Sequence, residues 1–273
     1  MPVIATNTSA NSALIYLNQN SRAQEKSLSK LASGSRIVRA SDDAAGLAVG
    51  TKLKSDVTVL KQAATNAVQA RSVLQTADGA LSRIGDILQR MKSLAAQSNS
   101  GSVDATARGF INTEFLQLRG EVDAIATATT FNGTTLIDGN YNQNFQVGIA
   151  ATATIVVNIT AVDANIAALG ITASVVDTVA NAVTASGALD TAINSISSHR
   201  ATVGSLLSRF EYRGDVVNDA IENLSSAQSA IMDVDIAAEQ SNLVSKQVLT
   251  EASIAALAQA NQMKSSLLTL VRQ

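Results

Sequence analysis

From residue 3 to residue 273 the chain carries no proline; its single proline stands at position 2. Proline is the residue that most reliably ends a helix, because it lacks the amide donor and its ring collides with the preceding turn. A chain that omits it is free to run helices far beyond the usual three turns, provided apolar residues recur at helical spacing. They do. Leu53, Val57, Leu60, Ala64 and Ala67 step by four and three, and Leu74, Ala77, Leu81, Ile84, Leu88, Met91 and Ala95 resume the rhythm. Ser41 predicts an N-cap ahead of this run, with Asp42 and Asp43 complementing the helix dipole. A helix from Asp43 to Gln97 would extend about 80 Å at 1.5 Å per residue, so an elongated molecule is expected.

The rhythm recurs on both sides. Leu14, Leu17, Gln24, Leu28 and Leu31 mark a first helix that stops at Ser33-Gly34. After Asn99-Ser100-Gly101, a third helix carries Ile111, Phe115, Leu118, Val122 and Ile125 on one face. From about Val176, the positions Leu189, Ile193, Ile196, Arg200, Val203, Leu207, Phe210, Gly214, Val217, Ile221, Leu224, Gln228 and Ile231 sustain a coiled-coil seam. Asp233 and Asp235 break it. Between Thr130 and Ser174 the composition turns to Thr, Asn and Gly, with Asn132-Gly133 and Asp138-Gly139 as turn signals. Phe145–Gly148 and Thr154–Ile159 read there as two strands of a small hairpin near 144–160. The expected fold class is mainly α, with long helices in an elongated coiled-coil bundle and a small β-hairpin region.

The last helix has two apolar seams. One runs Ile236, Gln240, Leu243, Gln247, Thr250, Ile254, Leu257, Asn261, Lys264, Leu268 and Val271. The other runs Leu249, Ala252, Ala256, Ala260, Met263, Leu267 and Leu270, offset by about 100°. So wide an arc needs more than one neighbour, which predicts packing against other copies of the chain. Charge adds a second hint. Arg22, Lys26, Lys30, Arg36 and Arg39 face a single Glu25, whereas Asp215, Asp219, Glu222, Asp233, Asp235 and Glu239 form a run without lysine or arginine among them. Such patches can pair within a chain or between neighbours, or remain solvated.

Other chemistries find little footing. Charged residues make up 15% of the chain and the net charge is −2, so there is no basic stripe for nucleic acid. No cysteine and one histidine are present, which removes disulfides, thiol chemistry and the usual zinc sites. His199, beside Ser197, Ser198 and Arg200, reads as an exposed helix position rather than as part of a catalytic triad. Phosphate-cradling glycine motifs are absent, and Asp138-Gly139-Asn140 lacks calcium-loop spacing. The stretch Ile149–Val162 is too short and polar for a membrane span, and residues 1–8 lack the features of a secretory signal. No catalytic, cofactor or metal residue is therefore assigned.

Several ordered blocks resemble bacterial flagellin. At the N-terminal end they are Leu31-Ala32-Ser33-Gly34-Ser35-Arg36-Ile37 and Ala40-Ser41-Asp42-Asp43-Ala44-Ala45-Gly46-Leu47-Ala48. Leu74–Leu81, Ile87–Lys92 and Thr130-Phe131-Asn132-Gly133 follow, and Arg200–Ser205 and Ala258–Gln262 match the C-terminal half. The resemblance implies a filament subunit whose terminal helices pair in an inner domain, here 1–40 with 235–273, and an outer domain at 41–234. The segment from Phe131 to Val176 is too short for further variable domains, so a minimal form is expected.

The resemblance also implies export in unfolded form through the flagellar export apparatus, and an extracellular place in the filament. Its implied partners are identical or related flagellins, a filament cap, hook-junction proteins and an export chaperone. Expected subunit contacts are Arg36, Ile37, Asp42, Asp43, Leu47, Asp78, Leu81, Leu243, Ile254, Leu257, Leu267, Leu268, Leu270 and Val271. Gln89, Arg90 and Leu94, with Glu114 opposite, match positions engaged by animal flagellin receptors, although Met91, Lys92 and Ser93 depart from the common pattern. Ser and Thr of residues 150–200 are candidates for O-linked sugars. A cytoplasmic chemoreceptor-like signalling coiled coil is the alternative reading, and it leaves the hairpin region unexplained.

Overall fold

A computed structural model describes residues 6–271, with side chains described as far as residue 266. Its elements are α1 (Thr8–Ser33), α2 (Ala44–Ser98), α3 (Ala105–Ala128), β1 (Thr130–Phe131), β2 (Thr134–Thr135), β3 (Asn142–Gln146), β4 (Thr154–Asn158), α4 (Val179–Met232) and α5 (Ile236–Val271). Contacts divide the chain into two compact units, Met1–Ser55 with Asn223–Gln273, and Asp56–Glu222. The mainly α class and the long helices stand as the sequence predicts.

The helix boundaries have local causes. Asn7 caps α1 by accepting from the Ala10 amide at 3.0 Å, and Gly34 closes it at φ 69°, a left-handed conformation natural to glycine. Ser41 is not the cap of α2. That role falls to Asp43, whose Oδ1 accepts from the Gly46 amide at 2.9 Å while its carbonyl accepts the first helical bond from Leu47. Asp42 instead folds back onto the preceding loop, accepting from the Val38 and Arg39 amides at 3.4 and 3.2 Å. Asp104 caps α3.

The second unit has a continuous core. Along α2 a buried seam runs through Val57, Leu60, Ala63, Ala67, Ala70, Leu74, Ala77, Leu81, Ile84, Leu88, Met91, Ala95 and Ser98, stepping by three and four, with Val73 and Leu94 buried beside it. The early register therefore uses Ala63, not Ala64, which is only half-buried. On α4 the buried Ala182, Leu189, Ile196, Val203, Phe210 and Val217 recur every seventh residue, the spacing of a coiled-coil seam. Phe115, Val122 and Ala126 of α3 and Ile155 and Val157 of β4 join the same cluster.

Two antiparallel hairpins lie among the described residues. β3 and β4 pair from Asn142↔Asn158 to Gln146↔Thr154; β4 lies where expected, whereas β3 starts at Asn142 and ends at Gln146, before the expected Val147 and Gly148. A second hairpin, β1–β2, turns on Asn132 (φ 48°) and Gly133 (φ 78°); two successive positive φ values define the turn that suits hairpin twist. Phe145 meets Phe210 edge to face, with centroids 6.0 Å apart and planes at 87°.

His199 is not the exposed residue expected. It is half-buried, because α4 turns it toward the loop carrying Asp163. Burial pushes its imidazole below the ordinary value of 6.5, while a hydrogen bond to the Asp163 backbone and that residue's carboxylate oppose the shift.

Two measurements check this core. Phe210→Ala should cost about 3–5 kcal/mol in urea unfolding, because the ring is fully buried; Tyr212→Ala, two residues past it and 73% exposed, should cost under about 0.5 kcal/mol. His199 also sets a pH dependence. A depressed folded pKa means the unfolded chain binds the extra proton first, so stability should fall as pH drops below about 6.5. The urea midpoints of the parent and of His199→Gln, compared at pH 7 and pH 5, should show a smaller acid loss in the variant.

Candidate assembly surfaces

In the first unit, α1 and α5 pack along one another. The side of α1 that faces inward is Ala10, Ala13, Leu17, Asn20, Gln24, Ser27 and Leu31, and that of α5 is Glu239, Leu243, Lys246, Thr250, Ser253, Leu257, Ala260 and Lys264. Both sets step by three and four, as a coiled-coil seam must. Yet only Ala10, Ser27, Leu243 and Ala260 are fully buried among them. The seam is narrow and half polar.

The large apolar side chains are elsewhere. Ile15 is 52% exposed, Tyr16 61%, Leu28 58%, Val248 58%, Ile254 52% and Met263 53%. Leu14, Val244, Leu249 and Ile236 are also exposed. Sequence periodicity placed Leu14 and Leu28 on the inward face of α1; the pairing with α5 leaves both in solvent. It missed Ile15 and Tyr16 altogether, since one residue's offset moves a side chain by about 100°. The apolar excess of α5 was legible, and here it lies away from α1. Side chains of Leu267, Leu268, Leu270 and Val271 lie outside the described residues.

The junction of α4 and α5 is stitched to the loop after α1. The Arg36 amide donates to the Met232 carbonyl at 2.6 Å, the Val234 amide to the Gly34 carbonyl at 3.1 Å, and the Ser35 hydroxyl to the Met232 carbonyl at 3.0 Å. Arg36 adds Nε to the Ile231 carbonyl at 3.1 Å. Lys30 pairs with Glu239 at 3.6 Å and Lys26 with Asp42 at 2.9 Å. The Lys26 ammonium, then the Arg39 amide, hold the Asp42 carboxyl below its ordinary value. Ile37 is buried here and Leu47 half-buried. Arg36, Asp42 and Asp43 are therefore engaged inside the chain.

In the second unit, Asp78 pairs with Arg200 at 2.9 Å, and Leu81 is fully buried. Arg90 reaches Glu114 through Nη2 at 2.7 Å and Nε at 3.0 Å. Gln89, Arg90 and Glu114 share an exposed surface, whereas Leu94 is only 1% exposed and belongs to the core. The structure thus pairs Arg90 with Glu114 at the surface, leaves Gln89 exposed on the same helix as Arg90, and takes Leu81 and Leu94 into the interior.

No helix among the described residues is long and apolar enough to cross a membrane. Long seamed helices, with terminal helices that leave their apolar faces bare, define a structural protein built to be packed against. Comparison with known proteins makes the class particular. The chain matches the bacterial flagellin N-terminal helical region over residues 4–142 and the C-terminal helical region over residues 186–271. It is 37% identical over 300 residues to the flagellin of Bacillus subtilis strain 168, covering 97% of this chain and 98% of that one. With the flagellar filament 33 kDa core protein of Treponema phagedenis it shares 36% identity over 285 residues, covering 99% and 100%. The crystal structure of Bacillus cereus flagellin matches with a TM-score of 0.51 at 33% identity, over 60% of this chain and 94% of that one. A putative flagellar hook-associated protein from Vibrio parahaemolyticus shares the fold alone, at a TM-score of 0.61 and 14% identity, over 70% of this chain and all of that one.

The chain belongs to the bacterial flagellin family, as a structural subunit of the flagellar filament. That membership displaces the signalling coiled coil as a reading.

The capping role of Asp43 is checked by mutation. Asp43→Ala should lower monomer stability by about 1 kcal/mol in urea unfolding. Asp43→Asn, which caps equally well, should stay within a few tenths of the parent value.

Proposed function

We propose that this chain polymerises outside the cell with identical or related subunits, and that the bare apolar faces of α1 and α5 are its main contacts. One observation carries the reading: Ile15, Tyr16, Leu28, Val248, Ile254 and Met263 are each more than half exposed on the two terminal helices. Apolar surface of this extent marks an interaction site. Covering it is favourable by about 25 cal/mol per Å². A contact between unlike faces does not close on itself, so it repeats into a filament. Residues 1–40 with 235–273 form the inner layer in this reading, and 41–234 the outer one.

Family membership supports the remaining steps. The chain travels unfolded through the flagellar export apparatus, with a chaperone covering the apolar face of α5 until release. It then joins a filament bounded by hook-junction proteins and a cap. Leu243, Ile254 and Leu257 with Leu267, Leu268, Leu270 and Val271 are the α5 positions assigned to assembly, and Leu47 is the contact retained near the loop. Gln89, Arg90 and Glu114 form the surface offered to animal receptors; Leu94 contributes from beneath it, by packing.

Assembly is tested by adding charge to the bare face. Val248→Glu with Ile254→Lys should leave the circular dichroism of the monomer unchanged and abolish filaments seen by negative-stain microscopy; truncation after Ile231, which removes α5, should also abolish filaments. Filaments of normal length from either chain would refute the role given to α5.

A further inference from the structure

The loop after α1 makes a polar cavity of about 250 Å³, lined by Arg22, Glu25, Lys26, Ser29, Val38, Arg39, Ser41 and Asp42. A second cavity, sharing Lys26 and Asp42, adds Lys30 and Arg36. Charge here is unevenly settled. Lys26 is neutralised by Asp42 and Lys30 by Glu239. Arg36 spends its Nε on a neutral carbonyl, and the exposed Arg22, Arg39 and Glu25 form no ion pair among the described residues, which leaves cations in excess of carboxylates there. Guanidinium groups left this way are suited to bidentate capture of carboxylates.

The opposite imbalance lies on α4. Glu211, Asp215, Asp219 and Glu222 are exposed, and at 100° per residue they fall within about 80° of arc. None forms an ion pair among the described residues. Neighbours of like charge four residues apart, as in Glu211–Asp215 and Asp215–Asp219, destabilise a helix by a few tenths of a kcal/mol per pair. Arg71 lines the same cavity as Glu211 and Asp215 but closes no ion pair with either.

We infer that the arginine-lined cavity around Arg22 and Arg39 takes the acidic ridge of α4 from a second copy of this chain. The inference rests on the polymerisation proposed above and names a polar contact within it. Basic cavity and acidic ridge are different surfaces of one sequence, so their pairing is heterologous and propagates rather than closing a dimer. The apolar faces supply the affinity; this contact sets which surfaces meet, which is what charge complementarity does best.

Charge reversal with rescue tests it. Arg22→Glu with Arg39→Glu should raise the critical concentration for filament formation about tenfold or more, and Asp215→Lys with Asp219→Lys should do the same. The chain carrying all four changes should return close to the parent value. Circular dichroism of each monomer separates misfolding from lost contact. Because the parent has no cysteine, Arg39→Cys with Asp215→Cys offers a second readout: oxidation should give a ladder of linked chains in filaments and none in dilute monomer. Reversals that leave the critical concentration unchanged, or a four-fold variant that fails to recover while folded, would overturn the inference. A disulfide closed within one monomer would overturn it too. The parent protein polymerising in parallel keeps the broader reading separate from this one.

Discussion

A helix pair can hide only the stripe along which its two members touch, and in the first unit that stripe is poor. Asn20, Gln24 and Ser27 occupy three of the seven inward positions of α1, and Glu239, Lys246, Thr250, Ser253 and Lys264 five of the eight of α5. The residues with most to gain from burial, Ile15, Tyr16, Leu28, Val248 and Ile254, stand outside it. Exposed leucines scattered singly need no explanation. Large apolar side chains exposed in such number on two paired helices do, and the apolar contacts proposed for assembly follow from them.

The second unit solves the opposite problem. Its α2 and α4 seams are filled by Leu, Ile, Met and Phe with near-zero exposure, and β4 and α3 cover what two helices alone would leave bare. Polar groups inside it are matched: Ser98 donates to the Val176 carbonyl at 2.5 Å, and no buried side-chain nitrogen or oxygen among the described residues lacks a partner. Buried polar groups left unmatched would be expensive. Here they fix the ends of helices and the path of the long segment between β4 and α4.

Much of this was legible in the sequence because helix and strand periods are local properties. The omission of proline, the steps of four and three, and the Ser33-Gly34 stop predict α1, α2 and α4 within a few residues. What was not legible depended on neighbours. Ala63 rather than Ala64 is the buried position, a choice that depends on the packing around the helix and not on its period. Asp43 rather than Ser41 caps α2, since the loop brings Asp42 back onto Val38 and Arg39 and moves the first turn along. His199 looked exposed beside Ser197 and Ser198, and only the Asp163 loop, over thirty residues earlier, covers it. Among the site residues, the apolar excess of α5 was readable from its two seams. Leu81 and Leu94 were drawn from motifs, and a motif does not say whether a side chain points out or in.

These two regimes carry different meanings for stability. A core that closes on itself gives the second unit a free energy of unfolding that belongs to the single chain. The first unit's apolar faces give it a stability that depends on how many neighbours are present, by the same mass action that makes any bound partner favour the folded state. Low charge density suits the second regime, because carboxylates and ammonium groups are costly to bury unless paired. Of the charges that remain near the loop after α1, Arg22, Arg36 and Arg39 form no ion pair among the described residues and outnumber the unpaired Glu25, so cations are in excess. Apolar area alone has no direction and would tolerate many packings. A filament with one geometry needs a term that distinguishes among them, and unmatched charge of opposite sign on separate surfaces is the feature of this chain that provides one.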